Sequence, residues 1–126
     1  MPEPKTVLVA DDERMVLDVV TTTLRKAGFH VLSASGGKRA VALARQSDEP
    51  ICLTVLDMVM PDLNGPDVFA QVRESHPQMR ALFVSGYPII PGTVPAGSDF
   101  LEKPFTSAQL LRKVIETLER PFTQRA

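Results

Sequence analysis

One cysteine, Cys52, is all the sulfhydryl chemistry this chain carries. No internal disulfide can form, and a single thiol set in an apolar stretch behaves as a small hydrophobe of a protein kept in a reducing compartment. No apolar run approaches the length of a membrane span, and Met-Pro-Glu-Pro-Lys at the start lacks the basic then apolar profile of a secretory leader. The expectation is a soluble, cytoplasmic protein without membrane insertion. An excess of one charge is missing as well: 14 Lys and Arg against 15 Asp and Glu leave a formal net charge of -1. That balance gives no broad electrostatic footprint for nucleic acid or an anionic surface, so no direct nucleic-acid partner is expected. Repeats and low-complexity segments are absent too. With 126 residues there is room for one core, and 1–126 reads as a single domain with a core at about 5–119 and a tail at 120–126.

What the sequence does have is alternation. Thr6–Ala10, 30–35, Ile51–Asp57, Arg80–Ser85 and 99–103 read as short strands rich in Val, Leu, Ile and Phe. Between them the spacing turns helical. The first helix runs from Glu13 towards Gly28, with Val16, Val20, Thr23 and Ala27 on one stripe and Leu17 and Leu24 beside it. Gly36-Gly37 opens a second with Ala40, Val41, Leu43 and Ala44 as packing face, broken by Asp48-Glu49-Pro50. Pro66 starts a third, with Val68, Phe69 and Val72 inward and His76-Pro77 closing it. Thr106 and Gln109 form a capping-box signature for a last helix carrying Leu110, Leu111, Val114, Ile115 and Leu118. Alternating strands and helices predict a parallel sheet covered on both faces, a doubly wound α/β domain. One segment breaks the pattern. Pro88, Pro91, Pro95 and Gly92 within 86–97 forbid a useful helix, so this crossover is expected to be an irregular loop or a single turn. Its apolar Ile89, Ile90 and Val94 either fill the helix's place or form a partner surface.

Sheets of this kind place their sites at the carboxyl ends of the strands. Strand one delivers Asp11 and Asp12 there, strand three Asp57, strand four Ser85 and strand five Lys103. Acids after a strand are also favoured simply as helix-capping groups. Gathered together, however, three carboxylates repel one another, and a hard divalent cation such as Mg2+ relieves the repulsion. The hydroxyl and ammonium opposite suit a dianionic phosphoryl group, so Asp57 is read as a carboxylate nucleophile for phosphoryl transfer. A flavin or nucleotide site would need a Gly- or Ser/Thr-rich loop after strand one, where this chain has acids.

Four pieces then stand in order: Val-Leu-Val-Ala-Asp-Asp-Glu at 7–13, Leu-Asp-Met-Val-Met-Pro-Asp-Leu-Asn-Gly at 56–65, Val-Ser-Gly-Tyr at 84–87 and Phe-Leu-Glu-Lys-Pro-Phe at 100–105. With them the chain resembles a receiver domain of two-component response regulators, either stand-alone or part of a hybrid histidine kinase. The resemblance implies a flavodoxin-like five-stranded parallel sheet of order 2-1-3-4-5 and a signalling domain, not an enzyme in its own right. Asp57 would be the phosphoacceptor, charged by a histidine kinase or a histidine phosphotransfer protein, and specificity for a kinase would sit mostly on the first helix, around Arg14, Met15, Asp18 and Thr22. Mg2+ would be bound directly by Asp12 and Asp57, by Asp11 largely through water, and by the backbone carbonyl of Val59. Ser85 would bond a phosphoryl oxygen, Lys103 would pair with the phosphate, and Phe100 would change rotamer as Ser85 moves. The Lys103-Pro104 bond would be cis.

The chain also departs from the family. Pro-Ile-Ile-Pro-Gly-Thr-Val-Pro stands where the family has its fourth helix, which alters the face used for output and dimerisation. Val59 and Tyr87 flank the route of an attacking water and are expected to slow loss of phosphate. The competing readings are a docking receiver that works without phosphorylation and a carboxylate-nucleophile phosphatase. The phosphatase would need a second acid at position 59. His30 and His76 are read as non-functional.

Overall fold

The computed structural model describes residues 4–88 and 92–120. In chain order the elements are β1 (Thr6–Ala10), α1 (Arg14–Lys26), β2 (His30–Ala34), α2 (Gly37–Gln46), β3 (Ile51–Asp57), α3 (Gly65–Arg73), β4 (Arg80–Ser85), β5 (Asp99–Glu102) and α4 (Ser107–Glu119). All strand pairs are parallel and the sheet order is β2-β1-β3-β4-β5. The chain winds outward from β1 to β2 and then resumes on the other side with β3. The reversal leaves a crevice beyond the carboxyl ends of β1 and β3.

Side chains alternate across each strand and build two cores. Leu8, Ala10, Leu56, Ala81 and Phe83 point to one face and pack with Ala40, Val41, Ala44, Val68, Phe69 and Val72 of α2 and α3. Val7, Val9, Leu53, Val55, Leu82 and Val84 point to the other and pack with Leu17, Val20, Leu24, Leu110 and Val114 of α1 and α4. β3 lies in the middle of the sheet, which is why its run is apolar until Asp57.

Two helix faces differ in detail from the sequence expectation. On α1 the buried stripe is Leu17, Val20, Thr21 and Leu24, while Ala27 is exposed and Thr23 turns sideways to donate from its hydroxyl to Ser107 Oγ at 3.1 Å. The sheet selects positions spaced i, i+3, i+4, i+7, and the stripe through Leu17 satisfies that spacing better than the one through Val16. On α4 Ile115 is exposed and Thr117 is buried in its stead, its hydroxyl donating to Asp99 Oδ2 at 2.8 Å. The capping box at Thr106 and Gln109 is complete. Gly28 ends α1's final turn with φ +100, a conformation open to glycine at little cost.

The crossover from β4 to β5 has no helix among its described residues, 86–88 and 92–98. Val94 packs against the α2/α3 core and so fills part of the space a helix would take. Ile89 and Ile90 lie outside the described residues, as does 121–126 of the expected tail. β2 and β5 each stop one residue short of the expected ends, at Ala34 and Glu102. The Lys103-Pro104 peptide bond is cis.

Candidate functional site

The site grows from the ends of β1 and β3. Asp11 follows β1 directly, held in line by its own N–H donating to Ala34 O at 3.2 Å. Its carboxylate is almost fully enclosed and its two oxygens do different work. Oδ1 accepts from the Glu13 N–H at 2.8 Å and so steadies the start of α1. Oδ2 is buried, and its polar partner is the Lys103 ammonium at 3.0 Å. One oxygen of Asp11 thus bonds the residue before α1, and the other faces Lys103.

Asp57 closes β3 at 6% exposure, and Oδ1 accepts from the Val59 N–H at 3.4 Å. Gly65 lets the returning loop pass close behind it, since a Cβ there would lie 2.6 Å from the Asp57 carbonyl oxygen. Asp12 is exposed at the mouth. One carboxylate oxygen from each of Asp11, Asp12 and Asp57 falls within 4.8 Å of the others. Lys103 enters from just beyond β5, anchored by its N–H donating to Ser85 O at 2.7 Å. Its ammonium lies 2.7 Å from Glu13 Oε1, 3.0 Å from Asp11 Oδ2 and 3.5 Å from Asp57 Oδ2.

The electrostatics follow from this crowding. Burial pushes the Asp57 carboxyl up to about 7 from 3.8; the Asp11 charge adds to the rise and Lys103 opposes it. Burial also raises Asp11, against the Glu13 N–H and Lys103. For Lys103 burial pulls downward, yet the bonds to Glu13 and Asp11 and the charges of Asp11 and Asp57 more than reverse it, so the ammonium is held above its ordinary value. Three acids meet one ammonium, and Asp12 adds a fourth carboxylate to the group. An all-oxygen donor set whose atoms lie within 4.8 Å of one another, and a deficit of positive charge, fit a hard divalent cation of the Mg2+ kind.

Ser85 ends β4, buried beside this cluster, and its hydroxyl oxygen accepts from the Tyr87 N–H at 3.0 Å. Phe100 pairs with Phe83 across β4 and β5 but stands 47% exposed, in a shallow groove with Gln109 and Arg112. The structure therefore brings Asp11, Asp12, Asp57 and Lys103 together with Ser85 alongside, and leaves Phe100 apart from the acids. Glu13 is the participant that sequence reasoning missed. It was visible in Asp-Asp-Glu, but only the fold brings it to a lysine 90 positions away. Of the histidines, His76 is buried: Nδ1 accepts from the Ile51 N–H at 3.1 Å and Nε2 donates to Ala44 O at 2.9 Å, tying α2 to β3. His30 opens β2 at the opposite rim, paired with Glu49.

Comparison with known proteins supplies the family. The family model described as the response regulator receiver domain matches residues 7–115. The probable transcriptional regulatory protein TcrX of Mycobacterium tuberculosis is 31% identical over 94% of this chain and 51% of its own length. Sensor kinase CckA of Brucella abortus is 34% identical over 91% of this chain and 13% of its own length. This chain thus spans about half of one relative and a small part of the other. Among solved structures, a response regulator receiver protein from Sinorhizobium medicae superimposes with a TM-score of 0.81 at 36% identity, covering 94% of this chain and 97% of that one. The chain belongs to the response regulator receiver domain family, the signalling domains of two-component systems.

Proposed function

We propose that this chain is a phosphoacceptor: Asp57 receives a phosphoryl group from a histidine kinase or histidine phosphotransfer protein in a Mg2+-dependent reaction in the cytoplasm. The observation that carries the reading is the meeting of three carboxylates within 4.8 Å, with Lys103 at 3.5 Å from Asp57. Asp11, Asp12, Asp57 and the backbone carbonyl of Val59 would hold the cation. When bound, Mg2+ supplies the positive charge that lets an anionic nucleophile meet an anionic donor.

The chain's own groups do the rest. A carboxylate oxygen of Asp57 attacks phosphorus in line, the P–N bond of the donor imidazole breaks, and its electron pair stays on that ring nitrogen. Lys103, already shared among the acids, pairs with the new phosphoryl oxygens. Ser85 accepts through oxygen from Tyr87, which leaves its O–H proton to give to the phosphoryl group. Movement of Ser85 towards the phosphate is coupled to Phe100, whose half-exposed ring turns inward. The donor docks on α1 beside the site, where Met15 at 82% exposure, Val16 and Val19 line an apolar cleft with Lys103 and Phe105.

The phosphatase reading is weakened because Val59 stands where its general acid would be. A docking receiver that works without phosphorylation is favoured by one observation, the lack of a helix among the described residues of the crossover after β4. Incubation with Mg2+ and a small acyl phosphate, read by intact mass, separates the two. A gain of one phosphoryl mass that disappears in Asp57→Asn supports phosphoacceptance, and a folded parent that gains nothing supports docking alone.

A further inference from the structure

The loop between β3 and α3 carries Val59, and its middle is fastened to a distant helix. α2 begins after Gly36, which has no side chain to cap it. The cap arrives from elsewhere: Asp62 accepts from the Gly37 N–H through Oδ1 at 3.0 Å and from the Lys38 N–H through Oδ2 at 2.9 Å. Both oxygens of one carboxylate are used on the first free donors of a helix. Those two N–H groups hold the Asp62 carboxyl below the usual aspartate range.

A second, independent observation concerns space. A Cβ on Gly37 would lie 2.7 Å from Leu63 O, 2.8 Å from Leu63 Cβ and 2.8 Å from Val68 Cγ2. A Cβ on Gly36 would lie 3.2 Å from Asp62 Oδ2. Neither glycine has a positive φ, so the reason for glycine here is close approach, not backbone freedom. Gly36-Gly37 is the seat and Asp62 the fastener.

The rest of the loop shows what the fastener controls. Its ends are fixed: the Met58 N–H donates to Val84 O at 2.9 Å, the Gly65 N–H to Met58 O at 3.0 Å, and Asn64 caps α3 through the Asp67 N–H at 2.8 Å. Met60 is buried and Leu63 packs on the α2/α3 core. Val59 lies between these anchors with its side chain in solvent, so the direction of its peptide depends on how the loop is held on either side.

We propose that Asp62 is a positioning residue of the phosphoacceptor site, clamping the loop to α2 so that the Val59 carbonyl is set for the cation; this rests on the phosphoacceptor reading above. Asp62 touches neither the cation nor the phosphoryl group. It acts through the loop, as outer partners of metal ligands do.

The test titrates Mg2+ calorimetrically, without phosphodonor, into the parent, Asp62→Ala, Asp62→Asn and Thr117→Val. The last loses a buried hydroxyl bond at the far rim and controls for general destabilisation. The expected result is an affinity for Mg2+ about tenfold weaker in Asp62→Ala, mostly recovered in Asp62→Asn, which keeps one acceptor, and unchanged in Thr117→Val. The Gly37 and Lys38 amides should exchange with solvent faster in Asp62→Ala. Equal Mg2+ affinity in the parent and Asp62→Ala overturns the clamp. A parent that binds Mg2+ but takes no phosphoryl group overturns phosphoacceptance, while the clamp is still judged by the affinities. A parent that binds no Mg2+ overturns both.

Discussion

Asp57 and Asp99 are buried to nearly the same degree, 6% and 7% exposed, and both stand on strands of one sheet. Their surroundings are opposite. Asp99 opens β5 and is supplied with donors: the Thr117 hydroxyl on Oδ2 and the Arg120 guanidinium on Oδ1, with the Arg120 carbonyl in turn taking two bonds from Arg80. Asp57 closes β3 and faces Asp11 and Asp12, with one lysine for the whole group. Burial penalises both carboxylates, but only at the carboxyl rim is the penalty left uncompensated. A buried acid with its donors in place fastens a helix, whereas Asp57 stands in a group of carboxylates that could hold a metal ion.

The sharpest way to break the contrast is to remove each acid. Asp57→Asn should abolish phosphoryl uptake, read by intact mass, and should raise the stability of the metal-free protein at pH 8 by about 1–2 kcal/mol in urea unfolding, because a like charge leaves the cluster. Asp99→Ala should do the reverse, costing about 1–2 kcal/mol through loss of the bonds from Thr117 and Arg120, with phosphoryl uptake retained.

A second, intermediate effect is in pH. Asp57 titrates at about 7 when folded without metal, against 3.8 as the unperturbed value. Between those values the folded chain holds more protons than the unfolded one, so stability of the metal-free protein should fall as pH rises from about 4 to 7 and level off above. Asp11, also raised, adds to the same slope. Asp57→Asn should flatten most of it in denaturation curves taken across that range. A slope that persists unchanged in Asp57→Asn would place the proton elsewhere.

The smallest expected effect sharpens the comparison at the mouth of the site. Val59 and Tyr87 are both well exposed there. The double variant Val59→Asn, Tyr87→Ala should lose phosphate several-fold faster than the parent, followed by mass against time, with little change in unfolding midpoint. Equal lifetimes would remove these side chains from the account.

The sequence makes much of this visible, for definite reasons. Strand ends are marked by abrupt changes from apolar to polar, so the sequence alone assigns Asp11, Asp12, Asp57 and Ser85 to one rim, and Lys103 falls one residue past the end of β5. Strand order was legible only through family likeness, since alternation alone does not say on which side β3 resumes. What stayed hidden depends on contacts between distant segments. Glu13 looks like a helix-start acid until Lys103 is beside it. Asp62 looks like a loop residue until the bare amino end of α2 meets it. The stripe of α1 is ambiguous in the sequence because Val16 and Leu17 both start apolar series, and only packing on the sheet decides between them.

The most direct measurement is a calorimetric Mg2+ titration of the parent and of Asp57→Asn at pH 6 and pH 8. The account predicts one binding event in the parent, tighter at pH 8 and accompanied by proton release at pH 6, and much weaker in Asp57→Asn. Affinity that is the same in both proteins, or that does not change with pH in the parent, would contradict a cation held at the end of β3.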